Sequence, residues 1–309
     1  MKTKNFIRNI NPFNNAQEMP TALYIVKKIL AFFLIYGVSA IFGEAVIIGI
    51  LTAMGYDPLN GVMPTGLFAE LLKNYGMALF IAIALIYCKF IEKRKLKSIG
   101  FNKKVYDYII GGAIALILLA VIAFACCVTG VMSFNGITSG ANALYLIALF
   151  AGFLIQGSAE EVICRGFLLP SLSKKTSLPL AIFVSSTAFA LPHLPSILEA
   201  DAGFAVIGIL NLYLVSVVFS LLFILRSNIY IACGLHSVWN FILYGAMGLS
   251  VSGSNSNENA LMSFNVNAEN ILSGGAYGLE ASIITTIALA AVMVILAKLC
   301  HKRRVKNGF

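Results

Sequence analysis

The sequence predicts an all-α fold: a polytopic membrane helical bundle with about eight transmembrane helices and both termini cytoplasmic. Three observations carry this. Of 309 residues, 59% are hydrophobic and 11% charged, whereas a soluble chain of that length interleaves charge throughout. Apolar runs recur near the ~20 residues that a bilayer-spanning helix requires. Lys and Arg collect in alternate loops, as they do on the cytoplasmic side of membrane proteins.

The elements follow in chain order. Residues 1–28 form a polar N-terminal arm. Spans are read at 29–53, 75–91, 106–132, 142–169, 178–197, 204–225, 227–249 and 281–299, which makes 29–299 one transmembrane helical domain. The first run is too long for a cleavable signal peptide and is retained. A basic loop at 92–104 separates the second and third spans. The segment 250–280 is rich in Ser, Asn and Gly and lacks Lys and Arg, so it reads as a polar outer loop, mobile or ordered into a cap. Residues 300–309 are a basic tail. No internal repeat is read.

The charge bias survives every turn of the chain. One side collects Lys2, Lys4, Arg8, Lys27 and Lys28, the loop at 89–104, Lys174, Lys175, Arg226 and the tail from Lys298 onward. The other carries Asp57, Glu70, Lys73, Glu199, Asp201, Glu258, Glu269 and Glu280. The net charge of +9 follows from this bias and needs no nucleic-acid partner, because anionic membrane lipids attract such loops. Six cysteines lie in or beside spans without C-x-x-C spacing, which reads as apolar packing.

Chemistry requires polar groups that converge, and the spans hold few. Glu160-Glu161-x-x-x-Arg165 lies in an apolar stretch, where an ionised carboxylate facing lipid would be costly, so these residues face the bundle interior. Helical spacing puts Glu161 and Arg165 on one face as an ion pair and turns Glu160 about 100° away. Glu160 is the freer carboxylate, suited to a general base. The alternative is a structural charge cluster. Phe189 and His193 share a face at i, i+4 on the next span, as do His236 and Asn240 on the seventh. A buried histidine alone is more often a packed core residue. Two histidines, a carboxylate and an amide together can activate water and stabilise an oxyanion, with or without a metal.

These three motifs, in this order, resemble the CPBP intramembrane proteases, also called the Abi family, which include CAAX prenyl endopeptidases and bacteriocin-processing enzymes. The resemblance covers about 142–249. It implies an intramembrane (metallo)endopeptidase in which Glu160 activates water, His193 and His236 are the paired histidines, Asn240 helps hold the oxyanion or a metal, and Glu161 with Arg165 steadies the helix. A three-ligand zinc site of Glu160, His193 and His236 with an open position, and a metal-free glutamate mechanism, both fit this pattern. The substrate would be a membrane-associated, prenylated or leader-type peptide, or a membrane protein, in the plasma membrane. The sequence leaves the substrate and the oligomeric state unspecified. The other readings are an inactive immunity or scaffold protein on the same fold, and a proton-coupled transporter, which the lack of an inverted repeat disfavours.

Counted from the basic ends of their spans at ~1.5 Å per residue, Glu160, His193 and His236 lie at depths from roughly 15 to 24 Å. Upright helices would not align them, so a kink at Pro192 or a neighbouring proline, or a tilt, is expected. The cavity is expected near mid-membrane or toward the cytoplasmic half. Glu44, without a basic neighbour in sequence, reads as a supporting or structural group, Trp239 as a packing residue, and His301 as part of the solvated tail.

Overall fold

Pro20, extended at φ −54° and ψ 145°, starts the first helix. The computed structural model describes residues 9–64, 66–254 and 256–306, among which eight helices form a polytopic bundle. They are α1 (Thr21–Ala53), α2 (Phe68–Phe90), α3 (Asp107–Val128), α4 (Ala143–Leu172), α5 (Leu178–Leu198), α6 (Ala202–Arg226), α7 (Tyr230–Phe241) and α8 (Ile283–Arg303). All but α7 are long and apolar enough to cross a membrane. The helix α2 begins earlier than its apolar run, because Glu70, Lys73 and Asn74 interrupt the run yet face a cavity rather than lipid.

The helix α7, extended by a π-helical turn at Ile242–Ala246, is the centre of the bundle, with residues 231–237 buried. It can be short because its neighbours, rather than lipid, surround it. Glycines bring them close, as small residues do between membrane helices. A Cβ at Gly111 of α3 would lie 2.1 Å from the Ile231 carbonyl oxygen, one at Gly234 of α7 2.0 Å from that of Tyr108, and one at Gly157 of α4 2.6 Å from Ser237 Oγ. Tyr108 fastens the crossing by donating its hydroxyl to Ser237 Oγ at 2.8 Å. Gly234→Ala is therefore expected to cost about 1–3 kcal/mol by overpacking, read as a lower thermal midpoint of the purified protein.

Two local distortions flank the motif residues. After Glu161, α4 widens into a π-helical turn at Val162–Leu168, a distortion that frees carbonyls needing other donors. Arg94 donates to the carbonyls of Gly166 and Phe167 at 3.0 and 3.2 Å, and Ser185 Oγ donates to Cys164 at 3.0 Å. In α5, Pro192 lies in a tighter 3-10 turn at Leu191–His193.

The basic loops knit one end of the bundle. Buried Lys28 pairs with Glu92, buried Lys27 reaches Asn14 Oδ1 at 2.7 Å and the Ala16 carbonyl at 2.9 Å, and Arg226 pairs with Asp107 at 2.5 Å. The other end holds a small sheet that the apolar-run reading missed. Strand β1 (Met132–Ile137) pairs antiparallel with β2 (Met262–Val266), with an irregularity between Phe134 and Gly136. The third span accordingly ends at Val128. Both strands begin Met-Ser-Phe-Asn, a short repeat, and Phe134 pairs with Phe264, their rings 5.2 Å apart. The sheet orders part of the 250–280 segment against the α3–α4 connection.

Candidate active site

Each of the three motifs reaches the centre from a different helix. Glu160 descends from α4 with its side chain 17% exposed. Its Oε1 accepts a hydrogen bond from Gln156 Nε2 at 2.6 Å, one helical turn earlier. Its Oε2 is 3.9 Å from His193 Nε2 of α5 and 3.9 Å from His236 Nε2 of α7, and has no hydrogen-bond partner among the described residues. Asn240, one turn beyond His236, donates from Nδ2 to Gln156 Oε1 at 2.9 Å. Gln156 thus couples the carboxylate to the amide, and its i−4 position before Glu160 was the signal for it in the sequence.

The partner of each imidazole sets its tautomer. His193 Nδ1 lies 3.0 Å from the Phe189 carbonyl oxygen, which can only accept, so Nδ1 carries the hydrogen. His236 Nδ1 lies 3.0 Å from Glu161 Oε1. That oxygen also accepts from Arg165 Nη1 at 2.9 Å, so the hydrogen is again on Nδ1. Both rings turn Nε2 toward Glu160.

Beneath this layer the charge pair is enclosed. Glu161 and Arg165 are fully buried. Arg165 also donates to the Ser216 carbonyl at 2.9 Å and to Ser216 Oγ, and its guanidinium lies over the rings of Phe189 and Phe219 at 4.7 and 5.1 Å. Phe219 stacks on His236 at 5.0 Å, a cation–π and stacking arrangement that holds both polar groups in an apolar layer. Ser216 and Phe219 on α6 carry no motif, and sequence reasoning missed them.

A cavity of about 320 Å³ leads from Glu160, His193 and Asn240 toward the sheet end. Glu70, Lys73 and Asn74 of α2 line it, with Ser196 and the turn at 251–254. Of the two expected positions, near mid-membrane or toward the basic end, the second is closed for this cavity, since residues 162–169 of α4 and 231–235 of α7 are all buried. Glu44 stays outside the site. It is exposed on α1 beside a separate groove shared with Lys73, and makes no hydrogen bond or ion pair among the described residues.

Residues 142–242 match the family model described as type II CAAX prenyl endopeptidase Rce1-like. The match is confined to the motif-bearing segment, about a third of the chain, which is similar to that family. No curated protein matches the chain. The Rce1-like segment supplies Glu160, His193, His236 and Asn240, whereas α1, α2 and the 250–280 segment, which line the cavity, lie outside it.

One contact joins the Rce1-like segment to its cover. The Glu280 carboxylate accepts from the Trp239 indole at 3.2 Å and from the Ser252 backbone N–H at 2.6 Å, and Ser252 has φ +51°, a conformation that needs such support. Trp239 is thus an anchor as well as a packing residue. Glutamine offers one acceptor oxygen to these two donors, so Glu280→Gln is expected to shift the fluorescence of Trp239, the chain's one tryptophan. An unchanged spectrum would contradict the contact.

Proposed function

We propose that the chain is an intramembrane endopeptidase in which Glu160 activates water against the peptide bond of a membrane-associated peptide. The observation that carries this reading is the single free oxygen of Glu160, 3.9 Å from two imidazole Nε2 atoms. A water oxygen fits between such groups at hydrogen-bond distances of about 2.8 Å. It donates one hydrogen to Glu160 and the other to an imidazole. Glu160 takes the proton as the water oxygen bonds to the scissile carbonyl carbon, and returns it to the leaving amine as the C–N bond breaks. Asn240 Nδ2 spends one N–H on Gln156, which leaves its second for the oxyanion.

The two Nε2 atoms facing Glu160, each free to ligate when its ring is neutral, favour a second reading, in which His193, His236 and Glu160 hold zinc. Zinc would polarise the carbonyl and acidify bound water. The donor types suit it. The 3.9 Å separations would have to contract, since two donors on a tetrahedral zinc lie about 3.3 Å apart, and no three His, Cys, Asp or Glu side chains among the described residues are already arranged to hold a metal ion. On the first reading the purified protein keeps cleaving after exhaustive chelation. A stoichiometric zinc whose removal abolishes cleavage and whose return restores it would establish the second.

The multi-pass bundle fits the plasma membrane, with lipid around it and the basic end in the cytoplasm. Family members of this fold that had lost activity would keep the bundle, so cleavage itself separates the enzyme from an immunity or scaffold role.

A further inference from the structure

Two independent asymmetries of this molecule point in opposite directions along the bundle axis. The first is charge. Among the described residues, apart from Arg165, buried within the bundle, and Lys73 of α2, every Lys and Arg lies in the loops and helix ends of the basic end. The structure brings those loops together: Arg94 reaches Gly166 and Phe167, Lys175 reaches the Met19 carbonyl at 3.2 Å, and Asn228 reaches that of Lys104 at 2.9 Å. Positive loops of this kind stay in the cytoplasm.

The second asymmetry is access. The cavity above Glu160 is lined from the sheet end, by Asn74, Ser196, Ser252 and Ser254, and no residue of a basic loop contributes to it. Toward the basic end Ile99 of the 92–104 loop lies so close to Gly166 that a Cβ there would be 2.6 Å from it, and the smaller pocket that touches Glu160 beside Ile163 and Cys164 is walled by Phe32 and Phe80, with no residue of a basic loop. Lys73, exposed, and Ser254, half-buried, mark the open side.

From these two facts together we infer that the site opens to the non-cytoplasmic side of the membrane, and that its substrates are exported peptides or outer-face segments of membrane proteins. This deepens the protease reading and rests on it for the word substrate. The side of access does not depend on that reading. The short polar wall from the 250–280 segment suits such a role, because it presents the hydroxyls of Ser252 and Ser254 to an extended peptide entering from water, while α1 and α2 flank the same opening.

The test uses the full chain in its membrane, with Cys127 and Cys300 replaced by serine. Ser254→Cys and, separately, Lys174→Cys are treated with a membrane-impermeant maleimide on intact cells and on inverted vesicles. Ser254→Cys is expected to label on intact cells, and Lys174→Cys only on inverted vesicles. Ser196→Cys serves in the same way if Ser254→Cys fails to accumulate. The reverse pattern overturns the inference. A water-soluble, impermeant pool of quenched fluorescent peptides is then offered to right-side-out and to inverted vesicles. Cleavage by the right-side-out vesicles supports the assigned substrates, and cleavage confined to inverted ones overturns them. Labelling as expected with cleavage by neither leaves the side of access standing and overturns both the substrate assignment and the protease reading.

Discussion

Glu160→Gln is expected to lower kcat for cleavage of a membrane peptide by about 10²–10⁴-fold, the range associated with loss of a general base, while the protein remains folded. Glutamine keeps the length of the side chain and an oxygen to accept from Gln156, as Glu160 does at 2.6 Å. It cannot accept the proton of water at the atom facing His193 and His236. A merely structural Glu160 would give the opposite pattern, with the thermal midpoint falling and the rate per folded molecule unchanged. Gln156→Leu tests the coupling one step back. It leaves Asn240 and Glu160 without their shared amide, and a smaller fall of about tenfold is expected from disturbed orientation.

Glu161→Ala is expected to produce the largest loss of stability, about 3–5 kcal/mol, because breaking a buried pair strands a charge away from water. Arg165 has no exposure, and its remaining partners are Ser216 and two aromatic rings. The same substitution removes the acceptor of His236 Nδ1, so activity falls even at temperatures where the variant is folded. Replacing both members, as Glu161→Ala with Arg165→Met, removes the stranded charge and is expected to restore much of the stability but not the activity. Unfolding of the purified variants measures both. A single variant as stable as the wild-type protein would contradict the enclosure of this pair.

Periodicity and charge made most of the bundle legible. Runs long enough to span a bilayer announce α1, α3, α4, α5, α6 and α8, because lipid imposes that length on any helix facing it. The same rule misled at α2, where Glu70 and Lys73 cut the run although they face the cavity. It could not find β1 and β2, whose strands of six and five residues are too short to register between helices. The repeated Met-Ser-Phe-Asn was the available signal.

Spacing within a helix was equally informative. The i, i+4 rule pairs Glu161 with Arg165 and turns Glu160 away, as their separate partners show. Contacts across the fold were beyond it. Nothing local ties Ser216 to Arg165, or Glu280 to Trp239 41 residues earlier, since such pairs arise only when helices cross. Glu160, His193 and His236 converge despite their unequal depths in the sequence, beside two backbone distortions, of which Pro192 was visible and the π-helical turn after Glu161 was not.

The most direct test of a water-activating Glu160 is mass spectrometry of peptides released by membranes containing the wild-type chain or Glu160→Gln, incubated in ¹⁸O-labelled water. The account predicts fragments made by the wild-type membranes alone, each with ¹⁸O in its new C-terminal carboxylate. The same labelled fragments in equal amounts from both membranes would contradict it.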